Sequence, residues 1–363
     1  MPTTTTTLSN QYQNYFSKKL LSYAVQALVL DQFAQKAPLP ARAGHKAITM
    51  FRYGAPSTSD IEALTEGTAP SGTRNLSLAK IEKSLSQRGQ VIKLTDILTA
   101  TDLFNSLQQS IKTNGQDAAL DMDTITRNTV VGSNVGGTAM EGGYAADMST
   151  VLDNGDTLVE IYADGTKETT AATQYTAFEA STGADTLLDA AAVLNAVTQL
   201  KVNRAQPAKG GMFVAAASPQ VISDVMTDST WINAAQYSNV QDLYKGEVGS
   251  LYGAKFIMTT NPFISGDANG TDADRVIYDA SGGGGTAGTN DVHATLFLGS
   301  EAYGCPDLSS QSPFSPKVEI VDTADKSDPL NQLTTCSFKT YWTALRLNPN
   351  YYVVMRSKTA STA

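Results

Sequence analysis

Apolar residues near the N-terminus recur at helical spacing. The stripe consists of Phe16, Leu20, Tyr23, Ala27, Leu30 and Ala34. This spacing predicts an amphipathic helix over residues 13–36. Ser22 and Gln26 interrupt the apolar run, which argues against a signal peptide, and the run is too short to span a bilayer. No local segment covers the wide apolar face, so it must dock on the rest of the chain or on a neighbour.

Two strands are predicted next, over residues 46–51 and 76–94, with a break at Gly89. The stretch between them, residues 52–75, is rich in Gly, Pro, Ser and Thr. A connection this long is unusual inside a compact domain unless it acts elsewhere or is disordered. The two strands and their connection therefore predict an arm that extends from the body of the protein.

The longest helical pattern covers residues 94–131, and either Thr95 or Asp96 can cap it. Its apolar stripe consists of Leu103, Leu107, Ile111, Ala118, Met122, Ile125 and Thr129. Gly115 weakens the middle of the pattern, so two helical pieces or a kink are expected. A second helix is predicted over residues 184–207, with one face formed by Leu187, Ala190, Ala191, Leu194 and Val197.

The remaining segments alternate between predicted strands and helices. An Asp-Gly turn predicts a hairpin over residues 157–170, and Ser218 and Pro219 mark the start of a helix after a buried strand. Further strands are predicted over residues 252–263, 293–304, 315–322, 336–347 and 351–356, the last two forming a pair joined at Asn348-Pro349-Asn350. Strands mixed with segregated helices indicate an α+β protein.

Composition narrows the classes of function. Charged residues make up 17% of the chain, against about 25% for an average soluble domain. Low charge fits either a secreted protein or one whose surface is covered by partners. The net charge is −9, of which residues 1–55 contribute +5 and the remainder −14. The acidic body argues against wrapping nucleic acid, whereas the basic head fits either a mixed surface or contact with an acidic partner.

Candidate chemistry is sparse. His45 and His293 are the two histidines, and neither lies in a metal-binding or hydrolase motif. The glycine clusters lack the phosphate-binding patterns, and the eight carboxylates of residues 132–184 favour a solvated face over a cation site. Cys305 and Cys336 either pair or lie buried as thiols, and the second is favoured. We therefore predict no catalytic, cofactor-binding or metal site, although a carboxylate pair that meets only in the fold stays open.

Four stretches in order resemble major capsid proteins of tailed double-stranded-DNA phages, and the resemblance is greatest to the N-four-like coat-protein family. They are YFSKKLLSYAVQALVLDQFAQKAPLP (15–40), LTEGTAPSG (64–72) with RGQVIKLTDIL (88–98), NGQDAALDMDTITRN (114–128), and a C-terminal set comprising GEVGSLYGAKFIMTTNPF (246–263), LGSEAYG (298–304) and DPLNQLTTCSFKTYWTALRLNPNYYVV (328–354). Residues 132–183 and the glycine-rich stretch near 281 match nothing in that pattern.

The resemblance implies an α+β fold of the Hong Kong 97 type, with the following division of the chain. Residues 1–45 form an N-terminal arm with the amphipathic helix, residues 46–94 an extended hairpin loop, residues 95–131 and 316–363 a peripheral domain with a long spine helix and a closing sheet, and residues 184–315 an axial domain. Residues 132–183, which the resemblance does not cover, are an acidic insertion with no assigned role.

The resemblance also implies a function and partners. Many copies would form the hexamers and pentamers of an icosahedral head that encloses double-stranded DNA and is assembled in the host cytoplasm. Partners would be other copies and a portal, with scaffolding or decoration proteins left open, DNA contacted at most non-specifically, and no membrane. The implied contact residues are Phe16, Leu20, Tyr23, Leu28, Leu64, Glu66, Pro70 and Arg74. A secreted or surface-layer structural protein is the alternative, and it would need an export signal.

Overall fold

The fold is described from a computed structural model. It describes residues 29–38, 46–53, 61, 63–64, 66–68, 78–102, 106–131, 160–168, 186–208, 210–228, 231, 247–265, 292–307, 316–321, 330 and 332–359. The predicted contact residues Phe16, Leu20, Tyr23, Leu28, Pro70 and Arg74, and also His45, lie outside these ranges.

Sixteen strands and four α-helices are present in the described part of the chain. The strands are β1 (Gln35–Ala37), β2 (Ala47–Tyr53), β3 (Leu78–Ser84), β4 (Ser86–Thr95), β5 (Glu160–Tyr162), β6 (Lys167–Glu168), β7 (Phe213–Ala217), β8 (Glu247–Leu251), β9 (Ala254–Met258), β10 (Phe263–Ser265), β11 (Val292–Leu298), β12 (Tyr303–Pro306), β13 (Lys317–Val321), β14 (Leu333–Trp342), β15 (Leu345–Arg346) and β16 (Tyr352–Ser357). The helices are α1 (Asp96–Thr101), α2 (Ser106–Val131), α3 (Ala190–Val202) and α4 (Pro219–Thr227), and short 3₁₀ turns cover Leu30–Phe33 and Pro349–Tyr351.

The largest sheet has the strand order β6-β5-β16-β11-β7-β9-β8, and β10 also pairs with β11. Its central strands β7, β11 and β16 are buried along their whole length, as expected for a sheet covered on both faces. Alternate residues join different cores. Val214 and Leu296 belong to the cluster that contains the α2 side chains, whereas Ala215 and Phe297 join the cluster of α3 and α4. The sheet is therefore sandwiched between α2 and the α3–α4 pair.

A second sheet, β13-β14-β4, packs on the long helix α2. Every second residue of β14 is buried, and Cys336, Phe338 and Trp342 belong to the same core cluster as α2. The indole nitrogen of Trp342 donates a hydrogen bond to the Thr126 hydroxyl at 3.2 Å. One face of this sheet is therefore fixed to the helix, and the opposite face is left to solvent.

The antiparallel hairpin β2–β3 stands on a third, smaller sheet with the order β1-β12-β15. The inward residues Ile48 and Met50 pack with Leu345 and Leu347 in a separate hydrophobic cluster. Arg52 donates a hydrogen bond to the carbonyl oxygen of Leu347 at 3.2 Å. An isolated two-stranded hairpin is marginally stable at best, so these contacts hold its described part on the body.

Several local predictions are confirmed. The side chain of Thr95 accepts the N–H of Leu98 and caps α1, while Ser218 caps α4 with Pro219 in its first turn. The predicted Asp-Gly hairpin is the β5–β6 pair, and Gly165 adopts the positive φ of 85° that this turn requires. Cys305 and Cys336 are both buried thiols that are not joined by a disulfide.

Other predictions are wrong. The break between strands falls at Leu85 rather than Gly89, and β4 leaves the hairpin to pair with β14. Helix α2 runs through Gly115 without interruption, because packing of this buried segment outweighs a propensity cost of about 1 kcal/mol. In α3, Ala190 and Val197 are buried as predicted, but Ala191 and Leu194 are exposed, and the rest of the buried face is formed by Ala192, Val193, Ala196 and Leu200.

Two predicted elements at the ends of the chain are also corrected. The predicted helix over residues 13–36 does not extend over its last part, because residues 30–33 form a 3₁₀ turn and residues 35–37 form β1. The two closing strands do not pair with each other, since β14 lies in the sheet on α2 and β16 lies between β5 and β11 in the largest sheet. Among the described helices, none combines the length and hydrophobicity needed to cross a membrane.

Candidate assembly surfaces

The outer face of the β2–β3 hairpin carries large apolar side chains that the protein does not cover. Phe51, Tyr53 and Leu78 are 58%, 62% and 52% exposed. Phe51 lies opposite Lys80 and Tyr53 opposite Leu78, so the three side chains share the face that points away from the core. Lys80 forms an ion pair with Glu82 at 2.7 Å beside them. We call Phe51, Tyr53 and Leu78 the hairpin face.

A second exposed apolar group lies at one end of the β13-β14-β4 sheet and on the adjoining helix α1. Val321 of β13 and Lys93 of β4 lie directly opposite Thr335 of β14, one on each side. These residues therefore lie on the outer face of the sheet, which also carries Leu333, two residues before Thr335. Helix α1 continues directly from β4 and exposes two further apolar side chains. The exposed members of this sheet-end patch are Val91, Ile97, Leu98, Val321, Leu330 and Leu333.

Two of the eight predicted contact residues lie in the described part of the chain. Leu64 is 76% exposed and Glu66 is also exposed, which leaves both available for contact with another molecule. Their assignment to intersubunit contact stays a prediction. Of the N-terminal stripe, Leu30 is buried in the protein's own core and Ala34 packs against it, so this end of the stripe docks within the subunit.

The hairpin face and the sheet-end patch were missed from the sequence. The available signal was in β2. Ile48 and Met50 lie on one face of this strand and Phe51 and Tyr53 on the other, so large apolar residues occupy both faces. A strand of a two-stranded hairpin has only one face available for the core of its own subunit. The other face is therefore a candidate for contact with a partner.

The base of the hairpin, where β3 lies beside the end of α2, carries a mostly buried charge, unlike the exposed hairpin face. The ammonium group of Lys83 in β3 donates to the Thr129 hydroxyl at 3.4 Å, at the end of α2. Burial, reinforced by the positive charge of Arg346, lowers the pKa of Lys83 from 10.5 to about 8. Arg346 itself donates to the carbonyl oxygen of Thr129 at 2.8 Å. Two basic side chains therefore converge on the C-terminal turn of α2, where the helix dipole favours positive charge.

Ser218 and His293 form the one serine–histidine hydrogen bond among the described residues, and this pair lies in the protein interior. The hydroxyl of Ser218 lies 3.0 Å from Nδ1 of His293 and also accepts the N–H of Val221 as a helix cap. Both side chains are buried, and burial lowers the pKa of His293 to about 4. This geometry closes the start of α4 against β11, and no acidic side chain among the described residues completes a triad with it.

The cysteine thiols are equally enclosed. Burial raises the pKa of Cys305 to about 12 and raises that of Cys336 as well, so neither thiol is activated as a nucleophile. Across the described ranges, no group of three or more His, Cys, Asp or Glu side chains is arranged to hold a metal ion. The surfaces of the hairpin and the sheet end are thus the stronger candidates for function.

No family model matches the sequence, and no curated protein matches it either. Solved structures do match over most of the chain. The capsid of Ralstonia phage GP4 is 11% identical with a TM-score of 0.59, covering 91% of this chain and 88% of that one. The head structure of Helicobacter pylori bacteriophage KHP40 is 9% identical with a TM-score of 0.56, covering 88% and 87%.

The capsid structure of the cyanophage P-SCSP1u is 14% identical with a TM-score of 0.54, covering 92% of this chain and 89% of that one. At these identities the likeness concerns the fold. It spans nearly the full length of both chains. The predicted fold class is confirmed: the chain has the α+β fold of the Hong Kong 97 type found in phage capsids.

Proposed function

We propose that this chain is a major capsid protein, whose copies assemble into the icosahedral head of a phage around double-stranded DNA. The fold supports this proposal, because the three similar structures reported above are phage capsids or heads. The single observation that carries it within this chain is the hairpin face, where Phe51, Tyr53 and Leu78 stay exposed on a strand pair whose other face is anchored. Exposed apolar groups of this kind mark sites of protein association.

The two apolar surfaces favour a head-to-tail contact between copies. The hairpin face is aromatic and lies on a strand pair, whereas the sheet-end patch is aliphatic and spans a sheet end and α1. Different surfaces on one chain form a heterologous contact, and such contacts close into rings when the rotation between copies allows it. We therefore assign the sheet-end patch of one copy as the site that receives the hairpin face of its neighbour.

The remaining assignments are part of the same proposal. The N-terminal residues Phe16, Leu20, Tyr23 and Leu28 and the loop residues Leu64, Glu66, Pro70 and Arg74 contribute further contacts between copies. Hexamers and pentamers, a portal as partner, virion location after assembly in the host cytoplasm, the domain limits given above and membership of the N-four-like family are all inferred from the resemblance. A catalytic role is not assigned to any residue. The surface-layer alternative is not favoured, because the structural matches are to phage capsids.

The test replaces Phe51 and Tyr53 together by Asp. Both side chains point away from the core, so we expect the subunit to fold with an unchanged melting temperature while shells no longer form. The matched control is Leu194→Asp with Val202→Asp, which places the same two charges at apolar positions that are 45% and 69% exposed on α3. Light scattering and electron microscopy measure the particles. Normal shells from the double variant, or loss of shells from the control as well, would contradict this use of the hairpin face.

A further inference from the structure

A buried carboxylate in the middle of α2 binds the backbone that follows residue 28. Oδ1 of Asp123 accepts the N–H of Leu30 at 3.0 Å and that of Val29 at 3.3 Å. These groups begin the 3₁₀ turn Leu30–Phe33, whose own N-cap residue supplies no side-chain hydrogen bond. Asp123 therefore caps this turn from a point more than 90 residues away in the chain, satisfying donors that otherwise have no local partner.

A second polar side chain holds the carboxylate in place. Nδ2 of Asn261 donates to Oδ2 of Asp123 at 3.4 Å and to the Thr124 hydroxyl at 3.0 Å. Its Oδ1 accepts Nη1 of Arg127 at 2.8 Å, and the same nitrogen donates to the carbonyl oxygen of Pro262 at 3.1 Å. The connection before β10 and one turn of α2 are thus joined around Asp123.

The same short segment is held from its other side by β12. The hydroxyl of Tyr303 donates to the carbonyl oxygen of Leu30, and the Leu30 side chain is buried in the main core. Beyond it, β1 pairs in parallel with β12, with Gln35 opposite Gly304. Residues 30–37 are therefore attached to the body by several contacts, and Asp123 acts at the point where the preceding 28 residues join them.

We infer that Asp123 is a positioning residue: with Asn261 and Tyr303 it forms an arm-root clamp that fixes the backbone at Val29 and Leu30, where residues 1–28 join the described part of the subunit. The consequence for assembly rests on the proposed function, because residues 1–28 include the N-terminal contact residues assigned to neighbouring copies. A segment whose point of attachment is held in place loses less conformational freedom when it docks, which favours association.

The clamp is more than an apolar packing contact, because it keeps the ionisable carboxyl group of Asp123 in the protein interior, where burial of the charged form costs free energy. Burial raises the pKa of Asp123, and the hydrogen bonds from Leu30, Asn261 and Val29 and the charge of Arg127 oppose that rise. The titratable groups that face the site from the other elements are Asp31, Tyr303 and Cys305, and Asp31 is paired with Lys36. An apolar residue would pack here at lower cost, but it would leave the two N–H groups unsatisfied.

Hydrogen exchange of the purified subunit tests the clamp. We expect Asp123→Ala to accelerate exchange of the Val29 and Leu30 amides at least tenfold, while amides of β11 exchange as in the wild type. Asp123→Asn retains an acceptor oxygen and should restore most of the protection. The control is Asp121→Ala, two residues along the same helix, whose carboxylate instead meets Arg88 at 3.2 Å.

A second variant distinguishes local loosening of the clamp from misfolding of the whole subunit. Tyr303→Phe keeps the ring and removes only the hydroxyl that donates to Leu30, so it should loosen the same amides to a smaller extent. Unchanged exchange at residues 29 and 30 in both variants, or equal acceleration throughout the subunit, would overturn the clamp.

A separate measurement compares the yield of assembled shells. We expect folded Asp123→Ala subunits to give at least tenfold fewer regular shells than Asp121→Ala subunits under the same conditions. Normal shells from a variant with an opened clamp would overturn its role in assembly while leaving the local geometry intact. Failure of the wild type itself to form shells would count against the proposed function, and the exchange data would still decide whether the clamp exists.

Discussion

Replacing Lys83 by Met should stabilise the subunit at neutral pH, although it removes a hydrogen bond. Lys83 lies at the base of the hairpin, where burial is the main cause that lowers its pKa to about 8, followed by the charge of Arg346. Its hydrogen bond to the Thr129 hydroxyl is long, at 3.4 Å. Met preserves most of the length of the side chain and removes the charge, so the desolvation cost disappears.

The magnitude follows from the pKa. A fall from 10.5 to about 8 corresponds to about 3 kcal/mol of unfolding free energy, at about 1.4 kcal/mol for each tenfold change in the ionisation constant. Lys83 keeps partial contact with water, which reduces this to about 2 kcal/mol, and loss of the hydrogen bond to Thr129 subtracts about 0.5 kcal/mol more. We therefore expect Lys83→Met to gain about 1–2 kcal/mol at pH 7.

The sign of the pH dependence gives a sharper test. Between about pH 8 and 10.5, Lys83 is protonated in the unfolded chain and deprotonated in the folded protein. The unfolding free energy of the wild type should therefore rise with pH across this window. Urea unfolding at pH 7 and pH 9.5 measures that rise relative to Lys83→Met, whose advantage should shrink by about 1–2 kcal/mol. Lys80→Met, on the exposed face of the same strand, is the control. An advantage that stays constant between the two pH values would refute the reasoning.

Two further changes test the sheets by urea unfolding. Gly89→Ala should cost about 1–3 kcal/mol, because an added Cβ would lie 2.6 Å from the carbonyl oxygen of Phe338, whereas Gln90→Ala beside it should be nearly neutral. Arg356→Met should cost about 3–5 kcal/mol, because it strands the buried carboxylate of Glu160, whose Oε1 lies 3.0 Å from Nη2 of Arg356. Adding Glu160→Leu to it should recover most of that loss, and a double variant as unstable as the single one would show that the lost side-chain volume matters more than the charge.

Signals that act within a few residues could be predicted from the sequence. Thr95 and Ser218 cap their helices because a hydroxyl reaches the N–H three residues ahead in any such turn. The Asp-Gly turn specifies the β5–β6 hairpin for the same local reason, and the apolar stripe of α2 is buried from Ile111 to Thr129 as its periodicity predicts. The fold class followed from such signals together with the ordered family resemblance.

Long-range pairing could not be predicted in the same way. Strand β4 continues through Gly89 because that glycine permits close approach to Phe338, a residue about 250 positions away. The predicted helix near the N-terminus fails at Leu30 because Asp123 and β12 offer its backbone partners that no local pattern reveals. In both cases the deciding contact joins segments that are distant in the chain, and hydrophobic periodicity carries no information about it.

The candidate site was harder to predict than the fold, because exposure depends on how many faces of a strand the rest of the chain can cover. Ile48 and Met50 are buried against Leu345 and Leu347, whereas Phe51 and Tyr53 are left open on the same strand. The hairpin needs only its inner face for attachment, so polar residues at the outer positions would fold equally well. Large aromatic residues there contribute little to the stability of the subunit and favour its association with a second surface. We therefore propose contact outside the subunit as the reason for their presence, and the Phe51 and Tyr53 double variant separates that contact from folding.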